Sequence, residues 1–323
     1  MRHNHSPEDR QNLLADVAEM YYLEDKDQAE IARAIGLTRS MVSRMLKEAR
    51  QKGIVEARVH RTLRTEHDLE TALAEQFELR TACVVALPKT SGDLVLSYLG
   101  AAGAQVLKRH LAPGSTLGLS WGTSVSAGAE AVEIDRPIKP KIVQLVGGLG
   151  ASSVQYDAHT LVLRLAQKLG GEAYLLNAPF LCPSAEIAQA LKEMPSIKET
   201  LWMGKQAQVA MVGIGSTSPS YASYYLAGYV EREQIEELQK SGAVGDVCGL
   251  YFDNNGHEVC GDFCKRTITI ALQDLADIPI RIGVAGGPLK AEPILGALRG
   301  GYVNVLVTDG ITARKVLELA GES

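Results

Sequence analysis

A chain of 323 residues with 46% hydrophobic content has material for more than one core, and two domains are expected. Its net charge of −5 excludes a uniformly basic nucleic-acid coat, but the charge is uneven: residues 1–64 hold 12 Lys/Arg against 10 Asp/Glu, and the remainder holds 21 against 28. No apolar run reaches the roughly 18 residues of a membrane span, the first ten residues carry no hydrophobic signal region, and five scattered cysteines are expected to be reduced thiols, so a cytoplasmic protein is expected.

Ser6, Pro7 and Asp9 form a helix start, after which Leu14, Val17, Ala18 and Tyr21 recur at helical spacing. A second helix is predicted from Gln28 to about Ile35, burying Ile31, Ala32 and Ile35. Gly36 ends it, because glycine takes a left-handed backbone at little cost, and Thr38 is placed to cap the next helix. At about 100° per residue, Val42, Met45, Leu46 and Ala49 share one face of that third helix, and Ser40, Ser43, Arg44, Lys47 and Gln51 share the opposite one.

Between Thr38 and Gly53 there are five bases and a single acid, Glu48. An apolar back and a cationic front on the second helix of a helix-turn-helix point to double-stranded DNA. Ser40, Ser43, Arg44 and Lys47 are the candidates for the groove. Arg44 is suited to forking onto a guanine edge and Lys47 to a phosphate, while Thr38 and Arg39 at the helix start are candidates for backbone phosphate. After Gly53 the period changes: Val55, Ala57 and Val59 alternate with Glu56, Arg58 and His60, a half-exposed strand that would make residues 1–62 a winged helix-turn-helix. His3 and His5 are given no role.

Thr65 is expected to open a further helix, with Asp68 three residues on and Leu69, Leu73 and Phe77 along one side; residues 63–81 thus read as a linker helix, with a partner subunit as one possible neighbour. From Ala82 onward, short β-branched runs (ACVVAL, TLGLS, KIVQLVG, EAYLLN, VAMVGIG, RIGVAG and VNVLVTDG) alternate with helical stretches. Such alternation predicts a mostly parallel sheet covered by helices on both faces, over residues 82–323.

Several turns in this second domain are chemically suggestive. Gly118, Ser120 and Gly122 fit the G-x-S-x-G pattern of a hydrolase nucleophile, but neither His159 nor His257 lies in a recognisable catalytic setting. The same stretch reads as an anion cradle: Gly122 lets the backbone approach a ligand, and the amides and hydroxyls of Thr123 and Ser124 stand at a helix N-terminus. A plain strand–helix turn is the third reading. Gly147-Gly148-Leu149-Gly150, Gly213-Ile214-Gly215-Ser216 and Gly286-Gly287 end other predicted strands, where open α/β sheets bind ligands. Lys290 follows the last of these, suited to a phosphate or simply to solvent. Asp246, between glycines early in a strand, is placed either to accept from sugar hydroxyls or to cap a turn. Cys260 and Cys264, with Cys248 nearby, raise a redox or metal sensor, although C-x3-C without a second pair is not a standard metal spacing.

The chain resembles the SorC family of sugar-binding transcriptional regulators, sometimes grouped as DeoR-like, over nearly its whole length. The resemblance is carried by QAEIARAIGLTRSMVSRMLKEARQKGIV, GLSWGTSV, QLVGGLG, VGIGS, VGDVCGLYFD and VAGGPLKAEPILGALRGGYVNVLVTDGITA, in that order. It implies a winged helix-turn-helix joined to a Rossmann-like α/β effector domain, similar to sugar-phosphate isomerases but used for binding. It also implies a homo-oligomer, dimer or tetramer, that answers to a phosphorylated sugar. Carried over by motif, Gly122, Thr123 and Ser124 match the family's phosphate-cradling turn, Asp246 the acid that holds sugar hydroxyls, and Lys290 the lysine after the Gly-Gly turn; Gly147, Gly148 and Gly215 complete the expected effector site. One departure is Gly310, where the family commonly has an acid, and it leaves the role of Asp309 open. The reading is a DNA-binding regulator, a repressor of a carbohydrate operon, with no catalytic residues, metal or cofactor. The alternative is a sugar-phosphate isomerase or hydrolase carrying an accessory DNA-binding module.

Overall fold

The computed structural model describes residues 7–55, 63–87, 94–134, 136–150, 157–220, 223–226, 228–259 and 261–321, and the chain divides into two units, Met1–Arg61 and Thr62–Ser323. His3, His5, Ser6, Cys260 and the alternating segment beyond Val55, which would form the wing, lie outside the described residues.

The first unit holds α1 (Pro7–Tyr22), α2 (Gln28–Ala34) and α3 (Arg39–Gln51). A capping box starts α2: the Asp27 carboxylate accepts from the amides of Ala29 and Glu30, each at 2.8 Å, and the Glu30 carboxylate accepts from the Asp27 amide at 2.9 Å. Hydrogen bonds from the Glu30 and Ala29 amides hold the Asp27 carboxyl below the usual carboxylate range. Gly36 adopts φ +67° in the turn, and Thr38 caps α3 by accepting from the Met41 amide at 3.3 Å. Val42, Met45, Leu46 and Ala49 are buried against Leu14, Val17, Ile31 and Ala32, while Ile35, at the end of α2, is only half-buried.

In the second unit, each of the seven β-branched runs supplies one strand of a single sheet. The strands are β1 (Thr81–Val85), β2 (Thr116–Leu119), β3 (Lys141–Gln144), β4 (Glu172–Tyr174), β5 (Val209–Gly213), β8 (Ile280–Val284) and β9 (Val305–Asp309); β6 (Gly245–Val247) and β7 (Leu250–Phe252) form a separate antiparallel pair. The intervening helices are α4 (His67–Phe77), α5 (Val95–His110), α6 (Thr123–Ala131), α7 (Ala158–Leu169), α8 (Ala185–Lys192), α9 (Pro195–Lys205), α10 (Ser223–Leu226), α11 (Arg232–Lys240), α12 (Asp262–Lys265), α13 (Leu272–Ala276), α14 (Ala291–Arg299) and α15 (Gly310–Gly321).

Strand order is β1-β9-β8-β5-β2-β3-β4, and every neighbouring pair in this sheet is parallel. Alternation along the strands sends Leu117, Leu119, Val209, Met211, Ile282 and Val284 to one face, against Leu99 and Val106 of α5 and Leu161 and Leu165 of α7. It sends Val84, Ala210, Val212 and Leu306 to the other, against Leu73 of α4, Ile294 of α14 and Val316 of α15. Burial on both faces explains why the strands read as apolar runs rather than as alternation. The chain runs from the edge strand β1 to the central β2, outward through β3 and β4, then back to β5 on the other side of β2. The direction of winding therefore reverses between β2 and β5, which is where such sheets open a crevice at their carboxyl edge.

The expected helix start at Thr65 needs correcting. Glu66 occupies the N-cap position of α4 without a side-chain bond, because Thr65 is taken up in an antiparallel bridge to Val85 at the sheet edge. The Ala86 amide donates to the Arg64 carbonyl at 2.8 Å and the Glu66 amide to the Val84 carbonyl at 2.9 Å. The segment 63–81 lies within the second unit, with Leu73 fully buried there.

Candidate nucleic-acid interface and effector pocket

Ser40, Ser43, Arg44 and Lys47 are all exposed on α3, opposite its buried row, and so are Thr38 and Arg39 at its start. The other two bases of this stretch are occupied. Arg50 donates to Tyr22 Oη at 2.8 Å and stacks over its ring, and Lys52 pairs with Glu48 at 3.0 Å. Glu48 is further held by Arg10 at 2.6 Å, and these bonds keep its carboxyl below the usual range. The one acid of the helix is thus neutralised from behind. Arg39, Arg44 and Lys47 have no carboxylate within ion-pair distance among the described residues. Arg44 uses only its Nε, on the Ser40 carbonyl at 3.3 Å. The Thr38 hydroxyl is committed to capping and lies 3.0 Å from Ser40 Oγ. Met41, which the charge pattern did not single out, is 38% exposed on the same helix.

A cavity of about 520 Å³ opens at the carboxyl edge of the sheet, at the reversal between β2 and β5. Gly122, Thr123 and Ser124 line it from the β2–α6 turn, Gly215 from the end of β5, Asp246 from β6 and Lys290 from the turn after β8. Gly122 has φ +132° and Gly287 φ +101°, and at both the space where a Cβ would project is empty. Both turns therefore demand glycine for backbone reasons and leave open room above it.

Asp246 is 5% exposed, and its Oδ2 accepts from the Gly249 amide at 3.2 Å. Gly215 makes room for it, since any side chain at 215 would collide with the Asp246 carboxylate. Lys290 reaches inward and donates from Nζ to the Ile214 carbonyl at 2.8 Å. Burial pushes the Asp246 carboxyl up to about 6, with Lys290 and the Gly249 amide opposing it. Burial brings the Lys290 ammonium down to about 8, with Asp246 opposing. Two opposite charges thus face a cavity that penalises both.

The cavity also has an apolar and aromatic wall that the sequence did not mark: Val95, Leu96 and Leu99 on one side, Trp121 and Tyr224 on the other. Trp121 Nε1 donates to Tyr224 Oη at 2.7 Å, and Phe180 stacks on the Tyr224 ring at 4.6 Å between centroids.

Gly147 and Gly148, expected in the effector site, do not line the cavity. Gly147 is buried with the Pro179 and Phe180 backbone where a side chain would stand, and the Gly148 amide donates to the Ala178 carbonyl at 2.9 Å. Their signal came from close packing of two chain segments. Ser120 is 2% exposed and outside the lining; its Oγ accepts from the Gly213 amide and contacts the Trp121 carbonyl, each at 3.3 Å. No histidine lines the cavity among the described residues. The described residues hold no group of three potential metal ligands, and Cys248 and Cys264 are buried.

Asp309 acquires a clear place. It is 1% exposed, its Oδ1 accepts from the amides of Ile311 and Thr312, each at 3.0 Å, and its Oδ2 accepts from the Gly287 amide at 2.8 Å. It thereby caps α15 and fixes the Gly287 turn together. Gly310 leaves the space into which Glu66 places its carboxylate, and Glu66 pairs with Arg314 of α15.

Residues 62–318 match the model of the putative sugar-binding domain, and residues 28–55 match that of the bacterial regulatory proteins of the crp family. The sorbitol operon regulator of Klebsiella pneumoniae is 32% identical over 95% of this chain and 98% of its own length. The chain belongs to the SorC family of sugar-binding transcriptional regulators. The deoxyribonucleoside regulator of Bacillus subtilis is 33% identical, over 96% of this chain and 98% of its own length. The crystal structure of the full-length sorbitol operon regulator from Klebsiella pneumoniae superposes with a TM-score of 0.72 at 31% identity, covering 96% of this chain and 99% of that one. Membership of this family makes the protein a sugar-responsive transcriptional regulator, with a helix-turn-helix reader and an α/β effector unit. No described helix is long and apolar enough to cross a membrane.

Proposed function

We propose that the protein is a cytoplasmic repressor of a carbohydrate operon whose operator affinity falls when a phosphorylated sugar fills the cavity at the β2–β5 reversal. The observation that carries this reading is the pairing, in one cavity, of a glycine-capped helix start at Gly122–Ser124 with the buried Asp246 and the half-buried Lys290. The phosphate is assigned to the amides and hydroxyls of Thr123 and Ser124, with Lys290 supplying the counter-charge. Asp246 accepts from sugar hydroxyls, and the Trp121–Tyr224 wall packs a sugar face. The ligand is read as bound without turnover: among the described residues the cavity is lined by no histidine and by a single carboxylate, so Asp246 has neither a histidine nor a second carboxylate to work with.

In the reader, residues 1–62, Arg44 reads a guanine edge, Ser40 and Ser43 lie in the groove, and Thr38, Arg39 and Lys47 follow the backbone. Met41 is suited to a thymine methyl. A homo-oligomer brings two readers to a near-palindromic operator. The route proposed for the ligand's signal is the following: the Gly287 turn touches Asp309, Asp309 caps α15, and α15 holds Glu66, the fifth residue of the effector unit. Coupling of 1–3 kcal/mol, typical of allostery, is within reach of such a route.

The test is a thermal-shift screen of the full chain against sugars and their phosphate esters, followed by operator titration with any hit. A phosphate-dependent shift with weakened operator binding supports the reading. A shift from free sugars alone, or turnover of the hit, sinks it.

A further inference from the structure

A second concave site lies away from the effector cavity. It is a crevice of about 540 Å³ between α4 and α5 along the edge strand β1. Arg80 and Arg109 both line it, both are exposed, and among the described residues neither has a carboxylate within ion-pair distance. The one acid in its described wall, Glu70, is turned to other partners: Oε1 accepts from the Val84 amide at 3.0 Å and Oε2 faces His67 Nδ1 at 3.0 Å, so its single negative charge stands against two guanidinium groups. The positive charge extends beyond the lining. Arg109 and Arg80 help to depress the His110 imidazole below its ordinary value, after burial, and Arg80 adds to the burial that lowers Arg281. The carboxyl end of α5 offers only about half a negative charge, fewer than the two full charges of Lys108 and Arg109 in its last turn. A concave site with two guanidinium forks against one acid, itself bonded elsewhere, keeps an excess of positive charge.

We propose that this crevice is a second ligand site, which takes a small phosphate ester or free phosphate between the guanidinium groups of Arg80 and Arg109. The site is independent of the effector cavity, sharing no residue with it. Arginine forks match the paired oxygens of a phosphate, and the crevice is large enough for a small ester rather than a polymer.

The experiment titrates inorganic phosphate into the full chain at constant ionic strength, counting saturable sites by phosphorus NMR. The wild type is compared with Arg80→Ala/Arg109→Ala and with Thr123→Leu, and circular dichroism confirms folding of each. The expected result is one saturable site in Thr123→Leu and its loss in the triple variant combining all three changes. Arg109→Lys, which keeps charge but not the fork, should weaken that site roughly tenfold. A site that persists in the Arg80→Ala/Arg109→Ala background of Thr123→Leu overturns the proposal. So does a double variant that alters only the affinity and salt dependence for random duplex, because the arginines then serve DNA phosphates. A small phosphate ester is the second arm: competition at this site by glycerol phosphate supports an ester pocket. The outcome does not depend on whether the Thr123 cavity is the effector site.

Discussion

The reader helix and the effector cavity solve opposite electrostatic problems. On α3 the charges proposed to meet DNA are solvated, and the one acid that would compete with phosphate is covered: Arg10 and Lys52 hold Glu48, while Arg39, Arg44 and Lys47 have no ion-pair partner among the described residues. In the cavity the charges are desolvated. Asp246 and Lys290 each carry a burial penalty that shifts them toward neutrality, and each is partly relieved by the other. A long polyanion arriving from solvent needs only an exposed, cheap, salt-sensitive cationic face. A small ligand must be distinguished from many similar ones, and on the proposed assignment charges that are desolvated until it arrives would provide that selectivity.

That contrast can be broken most directly at the cavity. Thr123→Leu fills the cradle with an apolar side chain and should weaken the sugar-phosphate response at least a hundredfold while leaving operator affinity unchanged; operator titration with and without ligand measures both. On the reader, Arg44→Ala should cost about 1–3 kcal/mol of discrimination, read as the ratio of operator to random-duplex affinity. An equal loss on both duplexes would make Arg44 a phosphate contact only. Gly310→Ala drives a methyl group into Glu66 and should reduce the ligand's effect on operator binding several-fold without changing ligand affinity.

The pH response sharpens the same comparison. Lys290 titrates near 8 in the free protein, and an anionic ligand favours its charged form, so binding takes up a proton above that value. Affinity should therefore fall by up to tenfold per unit as pH rises above about 8. It should also fall below about 6, where Asp246 becomes protonated and loses an acceptor. Operator binding without ligand should stay flat between those limits. The smallest effect is expected at Thr38→Ala, which removes the cap of α3 and should lower stability by about 1 kcal/mol in chemical denaturation.

Features set by local periodicity were legible from the chain alone. The buried row of α3 follows from its angles, and all seven sheet strands coincide with β-branched runs. Glycines were legible only as turns. Gly122 and Gly147 give the same local signal after a strand, yet one opens onto the cavity and the other packs against Pro179, a contact between distant parts of the chain. Long-range pairing also hid the aromatic wall, because Trp121 meets Tyr224 across 103 positions. Thr65 had the residues of a helix cap, but the sheet edge claimed it first. Gly310 looked like the loss of an acid, whereas Glu66 brings a carboxylate to the same helix start from elsewhere in the sequence.

The reversal of winding between β2 and β5 has a mechanical consequence. The cavity is walled by Ser220, Tyr224 and pieces of chain drawn from residues 95–99, 121–124, 213–215, 246–248 and 286–290, which lie far apart in the sequence. An occupant that grips several of them at once acts as a clasp, and the filled domain should resist proteases and exchange its amide hydrogens more slowly at all these stretches together.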